Sequence, residues 1–440
     1  MKVLLVDPGG FMLDFALRCQ AEEHEVRWFI RRVERTKDIG IGLLKPPNQI
    51  VPDWQSWMRW SDIVILGDNV KYLVELDHWR KRGEALIVGP TPEAAAWELE
   101  RGDGMAVMKK CKVEIPPWRE FSDYDAAIAY VKREGRAFVS KPCGDEPDKS
   151  LSYVAKSPAD LIYMLERWKR AKRHKGNFIL QERVKGAEMA VGGWFGPSGF
   201  ISGWHENFEF KKLMAGDTGP ATGEMGSVFH VVSQSKLADK VLKPFEEELH
   251  KLGYVGYVDV NCIIDESGTP WPLEFTMRPG WPSFNIQTAL LKGDPVEWLA
   301  DLAAGRDSKP FVQHRPAVGI VMVIPDFPFS LFTRKEVTGI PLYGDLAGPQ
   351  IHPCELRSGT APHNIAGKVV TMECMVSAGD YLLVATGTGE TVRQAKARAT
   401  RALEKIEVPN SPFWRPDIGD RLKTQLPTIQ SLGYSTRLSY

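Results

Sequence analysis

Gly256-Tyr257-Val258-Asp259-Val260-Asn261, followed by Trp271-Pro272-Leu273-Glu274-Phe275-Thr276-Met277-Arg278-Pro279-Gly280, is the part of the sequence on which the fold turns. Both stretches alternate apolar and polar residues, the period of half-buried strands. Paired antiparallel, they carry Asp259 and Glu274 toward one site. Two carboxylates beside a phosphate binder suit magnesium, a hard ion that takes oxygen ligands and bridges phosphate groups. A charge pair on a sheet surface is the plain alternative, and these strands alone do not separate the two.

Upstream lie two further stretches with chemical content. In Phe138-Val139-Ser140-Lys141-Pro142-Cys143-Gly144-Asp145-Glu146-Pro147-Asp148-Lys149-Ser150 a lysine closes a strand. Such a lysine neutralises nucleotide phosphates when a loop folds over them, although a surface lysine reads the same in isolation. In Phe178-Ile179-Leu180-Gln181-Glu182-Arg183-Val184-Lys185-Gly186-Ala187-Glu188 a strand edge runs into a turn. Its backbone groups can face an adenine ring and Glu188 can accept from ribose hydroxyls; an ordinary strand and loop is the other reading.

The first hundred residues alternate apolar runs with helical stretches. Val3–Val6, Val26–Ile30, Asp62–Leu66 and Ala85–Val88 read as buried parallel strands. Gly9-Gly10, Gly67 and Gly89 follow three of them, where open α/β sheets turn and bind ligands. Gly89-Pro90-Thr91-Pro92 punctuates the end of this unit. In the middle segment, Ser157-Pro158 starts a helix with apolar face Leu161, Ile162, Leu165 and Trp168. Its basic end, Lys169 to Lys175, suits a helix C-terminus. Lys236 to Leu252 reads as one more helix, closed by Gly253. A third segment, from near Val318, is β-rich and then helical from about Thr391 to Ile406.

With 56 Lys+Arg against 56 Asp+Glu, the chain lacks the clustered cationic excess of a general nucleic-acid binder. No apolar run approaches the roughly 18 residues of a membrane span. The opening Met1-Lys2-Val3-Leu4-Leu5-Val6-Asp7 has neither the cationic start nor the cleavage site of a signal peptide, which points to a cytoplasmic protein. The six cysteines form no C-x-x-C pair, so a reduced chain is expected rather than a disulfide or zinc framework.

Asp217-Thr218-Gly219-Pro220-Ala221-Thr222-Gly223-Glu224-Met225-Gly226 closely resembles the D-T-G-P-N-T-G-G-M-G loop of the phosphoribosylamine–glycine ligases, within the ATP-grasp superfamily. The opening K-V-L-L-V-x-x-G-G, Gly89-Pro90-Thr91 and Asp417-Ile418-Gly419 match in family order, so the resemblance spans nearly the whole chain. It implies an α/β and α+β architecture: an N-terminal Rossmann-like (pre-ATP-grasp) domain over residues 1–100, an ATP-grasp domain pair over 101–325 and a C-terminal β-rich domain over 326–440. It also implies ATP and Mg2+ (or Mn2+) as cofactors.

By the same resemblance Lys141 matches the phosphate lysine, with Lys149 a second cation nearby. Glu182 and Val184 lie in the adenine hinge, and Glu188 matches the ribose-binding glutamate. Glu274 matches the first residue of the E-x-N metal motif; Thr276 stands at its asparagine, and Asp259 is the compensating acid. Arg278, with Lys141, is the expected catalytic residue. Gly9, Gly10, Asp217, Thr218, Gly219, Pro220, Thr222, Gly223 and Arg278 form the expected substrate-binding set.

The chain also departs from the pattern. Gly144–Lys149 replaces the glycine-rich phosphate flap, Phe11-Met12-Leu13 replaces R-E-H, Gly67-Asp68-Asn69 replaces G-P-E, and Pro279-Gly280-Trp281-Pro282-Ser283 replaces F-G-D-P-E. ATP handling is better kept than substrate recognition. The expected function is an ATP-dependent carboxylate–amine ligase working through an acyl phosphate, phosphoribosylamine–glycine ligase-like. Two alternatives stay open: the same chemistry on another acid and amine, and a non-catalytic nucleotide-binding homologue. The expected partners are small-molecule amine and carboxylate substrates, with no nucleic acid or membrane, and the chain acts as a monomer or small homo-oligomer.

Overall fold

The four N-terminal apolar runs form strands β1 (Lys2–Val6), β2 (Glu25–Phe29), β4 (Ile63–Leu66) and β5 (Ile87–Val88), and a short β3 (Gln49–Val51) joins them at the edge. All pair parallel, in the order β3-β2-β1-β4-β5. The strand order reverses between β1 and β4. Their C-terminal ends therefore open a crevice lined by Asp7–Gly10 and Gly67–Asn69, the place where such sheets take ligands. The computed structural model describes residues 1–143, 151–172, 176–201, 203–306, 311–329 and 335–440. Lys149 and the flap segment lie outside the described residues.

Thr91 ends the unit as an N-cap, its hydroxyl accepting from the Ala94 amide at 3.1 Å, with Pro92 opening helix Pro92–Leu99. That helix leads into a small antiparallel sheet of β6 (Trp118–Phe121), β7 (Phe138–Pro142), β8 (Tyr153–Val154) and β9 (Phe178–Glu182), ordered β6-β9-β7-β8. Helices Tyr124–Glu134 and Pro158–Ala171 cover it. Ser157 caps the second as expected, and Leu161, Leu165 and Trp168 are buried with Phe121, Val131 and Phe138; Ile162 is only half-buried. The small sheet thus has a core of its own.

A nine-stranded sheet forms the centre of the molecule. Along its main path run β14 (Pro270–Thr276), β13 (Gly256–Ile264), β10 (Ala187–Gly196), β11 (Trp204–Glu209), β12 (Gly226–Val232), β15 (Ala317–Val323), β17 (Tyr381–Thr388) and β16 (Ile351–Pro353), in that spatial order. The C-terminal segment thus adds β16 and β17 to the sheet that carries Asp259 and Glu274. Helix Val392–Leu403 packs on this extension, capped by Thr391. The single helix expected over Lys236–Leu252 is instead two, Lys236–Val241 and Glu246–Lys251, joined by a 3-10 turn at Lys243–Phe245. Pro244 causes the break, since it has no amide hydrogen and its ring crowds the preceding turn. All six cysteines are free.

Arg415, 1% exposed, ties the C-terminal segment to the loop of the D-T-G-P stretch. Its guanidinium donates to Asp417 at 2.8 and 2.9 Å, to Asp217 at 3.0 Å and to the Lys212 carbonyl at 2.8 Å. Asp417 in turn accepts from the Gly216 amide at 2.9 Å. Arg415→Ala removes the shared partner of two carboxylates and is expected to cost on the order of 3 kcal/mol. Thermal unfolding measures it; a midpoint within a degree of wild type contradicts the clamp.

Candidate functional site

Strand register assembles the site. In the β13–β14 pair Asp259 stands opposite Thr276 and Asn261 opposite Glu274, and β10 sets Gly192 against Asp259. Period-2 alternation puts Glu188, Asp259, Asn261, Glu274 and Thr276 on one face of the sheet. Asn207 and Glu209 join from β11: the Asn207 amide donates to Asp259 Oδ2 at 2.9 Å, and the Asn261 amide to Glu209 Oε2 at 2.9 Å.

Lys211, just past β11, ends in the middle of this wall. Its Nζ lies 3.0 Å from Glu188, 3.1 Å from Glu209 and 3.5 Å from Glu274. Burial alone would lower the Lys211 pKa, but the three carboxylates outweigh it and hold the ammonium well above the usual lysine range. Burial would likewise raise Glu274, yet Arg101, Lys211 and Lys141 keep its carboxyl well below the usual range. Arg101 donates to Glu274 Oε2 at 2.7 Å and to the Pro142 carbonyl at 2.8 Å, and so joins the end of β7 to β14. Lys141, 8% exposed, donates to the Leu273 carbonyl at 3.2 Å. The lysine expected to handle nucleotide phosphates thus reaches, from one sheet, the strand of the other that carries Glu274.

Asp259 sits deeper, 4% exposed, with the Tyr257 hydroxyl 3.3 Å from its Oδ2. Burial and the nearby Glu209 raise its carboxyl to about 7. Asp259 Oδ1, Asn261 Oδ1, Asn207 Oδ1 and Glu224 Oε1 are buried oxygens without a hydrogen-bond partner. A buried acceptor left in that state costs about 1–3 kcal/mol, so this group of hard oxygen donors suits a cation. Among the described residues no trio of His, Cys, Asp or Glu side chains is arranged as a metal site. Glu188, Glu209 and Glu274 close around an ammonium instead.

The loop after Lys211 folds back on it. The Thr222 amide and hydroxyl donate to the Lys211 carbonyl at 2.8 and 2.9 Å, while Thr218, Gly219 and Gly223 stay exposed and Pro220 is half-buried. Asp217 adopts φ 53°, held by Arg415. Arg278 is half-buried beside Glu98, its Nη2 3.1 Å from Oε1. Glu98 Oε2 accepts from Asn69 at 2.7 Å and from the Met277 amide at 2.6 Å, so one carboxylate joins the N-terminal crevice to the strand end.

The expected hinge residues lie at the end of β9 (Glu182) and just beyond it (Val184). The Glu182 amide donates to the Pro117 carbonyl and its carboxylate pairs with Arg136 at 2.8 Å, while Val184 is half-buried. Gly9 and Gly10 close β1 beside Phe11, apart from the Lys211 cluster. Sequence reasoning missed Lys211, Arg101, Glu209, Asn207, Asn261 and Glu98. The alternation in Asn207-Phe208-Glu209-Phe210-Lys211 was the available signal for three of them; nothing local marked Arg101 or Glu98.

A profile of the phosphoribosylglycinamide synthetase ATP-grasp (A) domain matches residues 104–283. A phosphoribosylamine–glycine ligase of Leptospira interrogans is 24% identical over 447 residues, covering 96% of this chain and 99% of its own. One from Pseudomonas aeruginosa is 27% identical over 379 residues, covering 79% and 80%. The crystal structure of the Thermotoga maritima phosphoribosylamine–glycine ligase superposes with a TM-score of 0.72 at 20% identity, over 95% of this chain and all of that one. The resemblance read from the loop and strand motifs is borne out, and the fold is that of an ATP-grasp protein.

Burial lowers the Lys141 pKa to about 8, against the partial support of Glu274. Its ammonium is present below that pH and lost above it, so ADP should bind more weakly as pH rises from 8 to 9.5. Lys141→Arg, which stays charged, should flatten the profile. Calorimetric titration of ADP across this range checks it; identical slopes in both proteins contradict the assignment.

Proposed function

Starting from an ATP-grasp domain of the phosphoribosylglycinamide synthetase type, we propose that this chain is an ATP-dependent ligase that forms a C–N bond. The leading substrate pair is glycine and 5-phosphoribosylamine, giving glycinamide ribonucleotide, ADP and phosphate. Cytoplasmic purine biosynthesis is the setting this reading implies. The observation that carries it is the bond from Lys141 to the Leu273 carbonyl across the seam of two sheets, next to Glu274, which Arg101 and Lys211 hold.

A free carboxylate has a poor leaving group, so the acid is first activated. One of its oxygens attacks the γ-phosphorus, the bond to the bridging oxygen breaks, and ADP leaves. The amine then attacks the acyl carbon. The carbon–oxygen bond to phosphate breaks, the amine gives up a proton, and an amide and inorganic phosphate result. Lys141 neutralises the phosphates, and Lys149 adds charge from the flap. Glu182 and Val184 face the adenine, and Glu188 takes the ribose hydroxyls in exchange for part of its contact with Lys211.

Magnesium or manganese would supply charge neutralisation for the phosphates when bound. Glu274, Thr276 and Asp259 would hold it, with the orphaned Asn261 oxygen beside them. Arg278 binds the acid's carboxylate, and the backbone amides of the Asp217–Gly223 loop surround the acyl phosphate, with Asp217, Thr218, Gly219, Pro220, Thr222 and Gly223 forming its rim. Gly9 and Gly10 leave room for the amine at the crevice of the parallel sheet. One observation favours a second acid–amine pair on the same scaffold: Phe11 and Trp281 stack where the resemblance places substrate recognition.

A panel of acids and amines, assayed for ADP release with mass-spectrometric product detection, tests this reading. ADP release is expected to require both an acid and an amine. Glu274→Gln should lower turnover by at least about a hundredfold with little change in thermal midpoint. ADP release indifferent to both co-substrates contradicts ligase chemistry.

A further inference from the structure

We propose that a cavity behind Tyr257 is a second ligand site, one that takes a small uncharged aromatic ring. The inference goes beyond the ligase reading and does not depend on it.

The cavity lies between strands β10, β11 and β12 and the helices Ser283–Leu290 and Pro295–Ala303. Its volume is about 220 Å³. An apolar cavity of about 150 Å³ stays dry and admits benzene, so this one has room for one or two fused rings. Trp194 and Phe284, both nearly fully buried, and the half-buried Trp298 border the space. Trp298 meets Trp194 edge-on at 5.0 Å and 82°, so the two indoles stand as walls at right angles. A flat ring between them finds both face and edge contacts.

The walls are fixed by the protein itself. The Trp194 indole N–H donates to Gln287 Oε1 at 3.1 Å, which ties β10 to the first helix. The Thr288 carbonyl accepts from Arg18 at 2.8 Å, and the Thr288 hydroxyl donates to the Asn285 carbonyl at 2.8 Å. His314 Nδ1 lies 3.0 Å from the Val231 carbonyl. These polar groups are engaged within the protein, whereas a trapped water needs about two to four polar partners. An apolar occupant fits the space better than water does.

Charge narrows the class. Among the described residues, no Lys, Arg, Asp or Glu side chain lines the cavity. Burial lowers the His205 imidazole to about 3, so that ring is neutral near pH 7 as well. A charged ligand would lose its hydration with nothing of opposite sign to replace it. The mouth differs: Ser233 and His314 are exposed, and Ile201, Leu291 and Val312 are half-buried. A ring enters there and can keep a small polar group in water.

The cavity is separate from the expected nucleotide site. Trp194 lies beyond Glu188 on β10, roughly 20 Å along the strand. Tyr257 stands between the cavity and the carboxylate wall. Trp194 and His205 pack on its ring with centroids 5.3 and 5.5 Å away, and its hydroxyl is 3.3 Å from Asp259 Oδ2. One side chain thus parts the cavity from Asp259.

Titrations of the full chain followed by ligand-detected NMR test the site, with indole as the uncharged probe and benzoate as its charged counterpart. Indole is expected to bind with a Kd on the order of 1 mM or tighter, and benzoate at least about tenfold more weakly. Trp298→Ala should weaken indole binding about three- to tenfold, because it removes one ring wall. Val312→Trp, which fills the mouth from a half-buried position, should weaken it at least about tenfold. Saturating ADP should leave indole binding unchanged. ADP affinity should stay within about twofold of wild type in both variants, which also shows that each is folded. No indole binding, benzoate binding of equal strength, displacement by ADP, or indole binding that a folded variant leaves unchanged overturns the proposal. Val312→Trp keeps the test open if Trp298→Ala does not fold.

Discussion

The contact of Lys211 with Glu188, Glu209 and Glu274 is the interaction on which the rest of the site depends. Three carboxylates on one sheet face repel one another, and a single ammonium within 3.0 to 3.5 Å of each makes the arrangement tenable. The price is that Glu274 is shared with Lys211 and Arg101. The arrangement comes from register: a shift of one residue between β13 and β14 would turn Asp259 and Glu274 to opposite faces.

Around this cluster the molecule is joined at several seams by single polar residues. Glu98 ties Asn69 and the Met277 amide to Arg278, and Arg415 ties the D-T-G-P loop to Asp417. Asp14 accepts from Asn285 at 3.3 Å and pairs with His352 at 2.8 Å, so the helix Leu13–Ala21 is joined to both the central and the C-terminal segments. The small sheet bearing Lys141 differs, for it has its own core and reaches the large sheet through contacts such as Arg101–Glu274 and Lys141–Leu273. Lys141 is thus carried by a separately packed small sheet.

Much of this was legible in the sequence. The parallel strands, the cap at Ser157 and the β13–β14 pair follow from local periodicity and capping chemistry, which act within a few residues. The loop motif pointed to the relatives that the chain resembles. The helix over Lys236–Leu252 was misread because apolar periodicity continued across Pro244, where the backbone could not. Lys211, Arg101 and Glu98 were missed for a different reason. Their roles come from pairings with residues far away in the chain, and no local pattern encodes such partners. Phe11 and Trp281 stand in the sequence only as departures from a motif; their stacking joins residues 270 positions apart, which no local pattern encodes.

The central claim is that a carboxylate is activated by phosphoryl transfer before an amine attacks it. Transfer of oxygen-18 from the labelled carboxylate of the acid substrate into released phosphate measures that step directly. The account predicts that each phosphate formed in the amide-forming reaction carries one carboxylate oxygen. Amide formation with unlabelled phosphate would contradict it.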